Sequence, residues 1–151
     1  MLSQTSEYAL RAMIHLCGLA AKSSANSETI AARTKVPQGY LSKILRDLVL
    51  AELICSQRGP NGGFSLAKPP EEISLLDVIN AVDPIRRITK CPLGNPAHTE
   101  LCPLHRRIDD TMAMIETEFR GATLAEVNSV AVKNKGTCRI LVNATVKGKP
   151  M

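Results

Sequence analysis

Apolar residues along the chain recur at helical spacing in most segments and alternate in only one short region. From Ser3 to Ala21 the pattern is apolar on most sides, with Tyr8, Ala9, Leu10, Met13, Ile14, Leu16, Cys17 and Leu19. Such a segment predicts a buried helix. Its one polar stripe holds Glu7, Arg11, His15 and Lys22. Glu7 and Arg11 sit four apart and predict an ion pair on the helix surface. His15 lies about 12 Å along the axis from Glu7, too far to share an ion with it, and reads as structural. Cys17 faces the apolar side and reads as core.

A second pattern runs from Ser27 to Ala67. Ser27 is positioned to cap a short helix, which Val36-Pro37 ends because the residue before proline is pushed out of helical geometry. Another helix starts at or just after Pro37. On it Leu41, Ile44, Leu45 and Leu48 form an apolar arc, while Gln38, Gly39, Ser42, Lys43 and Arg46 fall on the opposite side. Two short helices with a tight turn, the second presenting small polar and basic residues, predict a helix-turn-helix with its recognition helix. Leu53–Gln57 and Phe64–Ala67 then read as two strands. Arg58-Gly59-Pro60-Asn61-Gly62-Gly63 joins them, and its glycines supply the positive φ angles of a hairpin turn. A hairpin in this place is a wing, with Arg58 near its tip able to enter a minor groove.

Beyond the hairpin, Ser74–Val82 predicts a helix with Ser74 and Asp77 at capping-box spacing, ended by Asp83-Pro84. From Leu104 to about Arg120, Leu104, Ile108, Met112, Ile115 and Phe119 recur at helical spacing, a stripe for the core or a dimer seam. Thr123–Ser129 follows as a short helical piece. The fold class expected is mainly α, with a small β-hairpin wing and a long dimerisation helix.

Composition changes this picture little. The 151 residues hold 44% hydrophobic residues but two Phe, two Tyr and no Trp, so aliphatic side chains and Met do the packing. No apolar run approaches a membrane span and the N-terminus lacks a signal-peptide layout, so the expectation is a cytoplasmic protein. Five cysteines fit free thiols or metal ligands better than a disulfide framework. The net charge of +5 is unevenly spread. Residues 1–70 hold eight Lys/Arg against four Asp/Glu, 71–126 hold six against ten, and the tail from 127 holds five basic residues and no acid. The positive first half gives modest support for a nucleic-acid partner.

Between Ile88 and His105, three prolines and a glycine exclude a helix through most of a segment that contains Cys91, His98, Cys102 and His105. Cys102 and His105 are three apart at the start of the next helix, so both can face one ion. The spacing matches no common zinc motif, since the chain has no C-x-x-C pair.

Ser6–Ala12 (S-E-Y-A-L-R-A), Tyr40–Leu45 (Y-L-S-K-I-L) and Arg58–Ala67 (R-G-P-N-G-G-F-S-L-A) resemble the Rrf family of bacterial winged-helix regulators, the IscR, NsrR and CymR group. The similarity covers roughly residues 1–128. It implies a homodimer on palindromic double-stranded DNA, often with a sensory iron–sulfur cluster, and a long helix that crosses its partner. Family sensors typically carry three cysteines in the loop, where this chain has Cys91 and Cys102. Cys102–His105 resembles the last cysteine and following histidine of IscR-like members, and Glu7 occupies the acidic position from which some relatives ligate the partner's cluster. His98 is a further candidate donor.

The expected organisation is a winged helix-turn-helix domain over 1–84, a sensory loop over 85–103, a dimerisation helix over 104–130 and a disordered basic tail over 131–151. DNA contacts are assigned to Gln38, Tyr40, Ser42, Lys43, Arg46, Arg58 and Gly62. An iron–sulfur cluster of unassigned type is the expected cofactor. Three other readings compete. One is a clusterless repressor sensing a small molecule or protein, one a thiol enzyme using Cys102 and His105, and one a winged helix used only for protein assembly.

Overall fold

Ser3 opens α1 (Gln4–Cys17) by accepting the Ser6 amide on its hydroxyl at 3.2 Å, and Gly18 closes it. The helix is therefore shorter than the Ser3–Ala21 pattern predicts, since apolar periodicity continues into a turn that Lys22 completes with a φ of 62°. Residues 2–133 are described by this computed structural model. Of the basic tail, residues 131–133 continue the last helix and the rest lies outside the described residues. The other elements are α2 (Ser27–Thr34), α3 (Gln38–Leu50), β1 (Ile54–Gln57), β2 (Gly63–Leu66), α4 (Leu75–Val82), α5 (Pro103–Gly121) and α6 (Leu124–Lys133).

Asn26, and not Ser27, caps α2, its side-chain oxygen accepting the Thr29 amide at 2.8 Å. Both residue types suit a cap, and the extended backbone of Asn26 decides between them. The helix ends at Lys35, whose left-handed φ of 58° turns the chain into Val36-Pro37. α3 then begins directly after Pro37 as the pattern predicts. In α4 the Ser74–Asp77 capping box is present in both directions.

The core lies where α1 meets α2, α3, α4 and α6. Ala9, Ala12, Met13, Ile30, Leu41, Leu48, Ile73, Val78 and Leu124 are wholly buried, and each large aliphatic side chain among them contributes about 1.5–3 kcal/mol of burial. His15 is the exception to the predicted polar stripe. It is 3% exposed, because α1 is covered on more sides than a helix with one solvent face. Cys17 packs against the core and its thiol donates to the Leu124 carbonyl at 3.8 Å. Burial, with the Glu71 carboxylate adding to it, pushes that thiol's pKa up and keeps it protonated.

The two strands pair antiparallel, with Ile54 opposite Leu66 and Gln57 opposite Gly63. The loop before α2 is drawn in beside them, since Ala25 and Phe64 exchange backbone hydrogen bonds of 3.0 and 2.8 Å. A Cβ at Gly63 would stand 2.7 Å from the Ala25 backbone, so this close approach excludes any larger residue. At the far end, Leu75 donates to Ala122 and Leu124 donates to Ile73, joining the entry of α4 to the α5–α6 corner.

Candidate nucleic-acid interface and cysteine–histidine loop

α3 buries Leu41, Ile44, Leu45 and Leu48 and exposes Gln38, Gly39, Tyr40, Ser42, Lys43 and Arg46. The 100° spacing that predicted the polar arc thus survives packing intact. Ser42 donates its hydroxyl to the Gln38 carbonyl at 3.2 Å, which leaves its oxygen lone pairs facing outward. Tyr40 is 60% exposed, yet its ring meets the edge of Tyr8 at a centroid distance of 6.2 Å. Tyr8 is held in turn by Gln4, which donates to its hydroxyl at 2.9 Å, and by the Arg11 guanidinium 5.6 Å from its ring centre. Arg11 also ion-pairs with Glu7 and reaches the Thr34 carbonyl at 3.4 Å. The polar stripe of α1 therefore braces the start of the recognition helix.

Arg58 projects at the exposed hairpin tip. Gly62, half-buried, donates its amide to the Gly59 carbonyl at 2.9 Å, and a Cβ there would stand 2.4 Å from the Gln57 carbonyl. Gly62 thus shapes the turn that carries Arg58. Between α3 and the hairpin lies a groove of about 340 Å³ lined by Ser27, Ser42, Arg46, Ser56 and Phe64, among others. Ser56 did not stand out in the sequence, and Ser27 did so only as a helix cap. Ser56 lies two residues from Ile54 on one strand face, so the strand period alone could have turned it toward α3.

The second region is the 83–102 connection and the start of α5. Its thiols and imidazoles meet as two pairs: Cys91 Sγ lies 3.4 Å from His98 Nδ1, and Cys102 Sγ lies 3.2 Å from His105 Nδ1. Cys102 stands at the N-cap position of α5, before Pro103, and makes no side-chain capping bond there. Among the described residues of one chain no three His, Cys, Asp or Glu side chains gather as a metal group. Glu7 belongs to the Arg11 pair.

Two ion-pair contacts tie the connection to α5: Arg106 donates to Glu100 at 3.3 Å, and Arg87 forms a larger clamp. Arg87 donates from Nε and Nη2 to the two oxygens of Asp109, both at 2.7 Å, and from Nη1 to Glu116 at 3.3 Å. The Ile88 amide adds a 2.8 Å bond to Asp109. The guanidinium first, and that amide second, hold the Asp109 carboxyl down at about 2.

Three helices closed on a two-stranded hairpin, with a polar basic helix face and an arginine at the hairpin tip, define a winged-helix DNA-binding regulator. The chain belongs to the Rrf2 family, described as iron-dependent transcriptional regulators, whose sequence profile matches residues 2–129. A protein of Mycobacterium tuberculosis strain H37Rv, provisionally named an HTH-type transcriptional regulator, is 33% identical over 131 residues, spanning 83% of this chain and 80% of the relative. Among solved structures, CymR of B. subtilis, titled the global cysteine regulator, matches with a TM-score of 0.68 and 27% identity, covering 86% of this chain and 97% of CymR. T. potens IscR shares the fold, with a TM-score of 0.72 at 23% identity over 87% of this chain and 88% of IscR. The family and its M. tuberculosis relative are described as regulators of transcription, which removes the thiol-enzyme reading. No helix among the described residues is long and apolar enough to cross a membrane.

The clamp gives a testable consequence. Replacing Arg87 with Ala should raise hydrogen exchange in the 88–102 connection by roughly threefold to fivefold, the scale of an exposed ion pair, with the α1–α3 core unchanged. Because the Asp109 pKa is lowered on folding, the clamp's contribution is full above about pH 4 and is lost as the pH falls toward about 2. Exchange followed by mass spectrometry across that window should show the connection loosening before the core in the native chain, and no such early step in the variant.

Proposed function

We propose that the chain is a homodimeric repressor that reads double-stranded DNA with α3 and the wing, and whose affinity responds to a metal or redox signal at the Cys91–His105 loop. The observation that carries the DNA reading is the single exposed face formed by Gln38, Ser42, Lys43 and Arg46 beside the Arg58 hairpin. Lys43 and Arg46 supply phosphate contacts, Gln38 and Ser42 face base edges, Tyr40 touches backbone, and Arg58 enters the minor groove on the turn that Gly62 shapes. In the organisation proposed, residues 1–84 bind DNA, 85–103 sense the signal and 104–130 dimerise. Replacing Lys43, Arg46 and Arg58 together with Ala should abolish measurable duplex binding, and each single loss of a phosphate contact should reduce the salt slope by about one. Fluorescence anisotropy across a salt series checks this. Unchanged affinity in the triple variant would leave a winged helix serving assembly alone.

The dimer rests on α5. None of its 19 residues is buried in the single chain, and α4 is its main packing partner among the described residues. The predicted stripe splits: Met112, Ile115 and Phe119 are half-buried, whereas Leu104 stays 64% and Ile108 37% exposed. With Met114 at 69% exposure, this leaves apolar surface that a second copy would cover. Light scattering at micromolar concentration should report a dimer, and Leu104→Glu with Ile108→Glu should shift it to monomer. A native monomer overturns this part.

Two thiols and two imidazoles suit soft metal chemistry by donor type. Within one chain, however, they meet only in pairs, so a four-donor set would need the loop to rearrange or a second copy to contribute. Cys91, Cys102 and His105 would hold an iron–sulfur cluster, with Glu7 of a second copy or, less favoured, His98 completing it. Such a group supplies reversible redox chemistry and exchangeable ligation when bound. The pairs themselves favour a second reading, a clusterless repressor. Anaerobic purification with iron and sulfide analysis separates the two. Stoichiometric iron and sulfide, lost in Cys91→Ala with Cys102→Ala, is expected for the first, and neither after reconstitution leaves the second.

A further inference from the structure

A larger cleft, about 820 Å³, lies between the end of α1, the loop leading into α2, the outer side of α2 and the wing tip. It reaches down to His15, which is 3% exposed, and rises to Asn61 at the wing. Lys22 and Arg33 line it together with Ser23, Ser24 and Thr29, and among the described residues no aspartate or glutamate contributes to its wall. Its size falls in the range of small-molecule sites, roughly 300–1,000 Å³. Two cations among hydroxyl groups, with no carboxylate to repel, match a dianion rich in acceptor oxygens better than a neutral ligand.

The cleft is separate from the candidate DNA face. No residue of α3 lines it, and the Ala25–Phe64 bridge runs between it and the smaller groove beside the recognition helix. Its lip is nevertheless part of the wing, because Ser24 donates its hydroxyl to the Asn61 carbonyl at 3.1 Å across it. We propose that this cleft is an effector site for a small phosphate-bearing molecule, held by Lys22 and Arg33, whose occupancy biases the position of the wing. A backbone phosphate of a duplex carries the same chemistry. A floor at a nearly buried histidine favours a small ligand, since a rigid duplex cannot descend to it. The ligand changes DNA affinity only as far as it binds one wing position better than another.

The test uses the full chain and inorganic phosphate as the probe. Isothermal titration with phosphate, against sodium chloride of matched ionic strength, should show saturable binding. Lys22→Gln with Arg33→Gln, both exposed positions, should weaken it by about tenfold. The same variant, titrated onto a mixed-sequence duplex without phosphate, should keep the native salt slope. Absence of saturable phosphate binding, or equal binding by the variant, overturns the proposal. So does a salt slope shallower by about two, which would assign these residues to the DNA backbone.

Discussion

Ala9, Ala12 and Met13 lose all contact with water because four helices close over α1, and each of those helices is placed by that closure. Two alanines at three-residue spacing let neighbouring backbones approach closely, and Met13 fills the space beyond them. α2 and α3 both pack on this hub and on each other, which sets the angle of the helix-turn-helix. α4 and α6 pack on it as well, and α6 is secured by the Cys17–Leu124 contact. A change in α1 would therefore reach the recognition helix, the wing and the α5–α6 corner together.

The wing depends on the same arrangement at one remove. Two strands of four residues form a weak hairpin alone. Ala25 supplies a third backbone partner, and only glycine at position 63 lets it approach. The loop that α1 and α2 hold in place thus fixes where Arg58 stands. Tyr8, Tyr40 and Arg11 form a comparable link at the start of α3. The second link joins α1 directly to the recognition helix and the first acts through the α1–α2 loop, so Tyr8 and Arg11 of a mostly buried helix have a mechanical role.

The 83–102 connection contrasts with this. It has little buried surface, and the Arg87 clamp on Asp109 and Glu116 is the principal attachment to α5. A segment tied by exposed ion pairs opens at low cost compared with a packed element. Such a segment suits a place where ligation or oxidation is to be felt, because little packing energy opposes a change there.

Local rules determined a good part of this molecule from the sequence alone. Helical spacing separated the buried and exposed faces of α3, Pro37 placed its start, Ser74 and Asp77 marked α4, and the Asn61-Gly62-Gly63 turn marked the wing. Each depends on backbone preference or on periodicity within a few residues, and these act before any tertiary contact. Tertiary structure alone decided the rest. His15 is buried because distant helices cover a side of α1 that its own pattern leaves polar. α2 is capped by Asn26 and not Ser27 because the loop is drawn into the sheet at Ala25. The two thiols meet separate histidines, since a proline-rich connection carries no period from which its path could be read. The cleft between Lys22, Arg33 and the wing joins segments far apart in the sequence, and only packing brings them to one place.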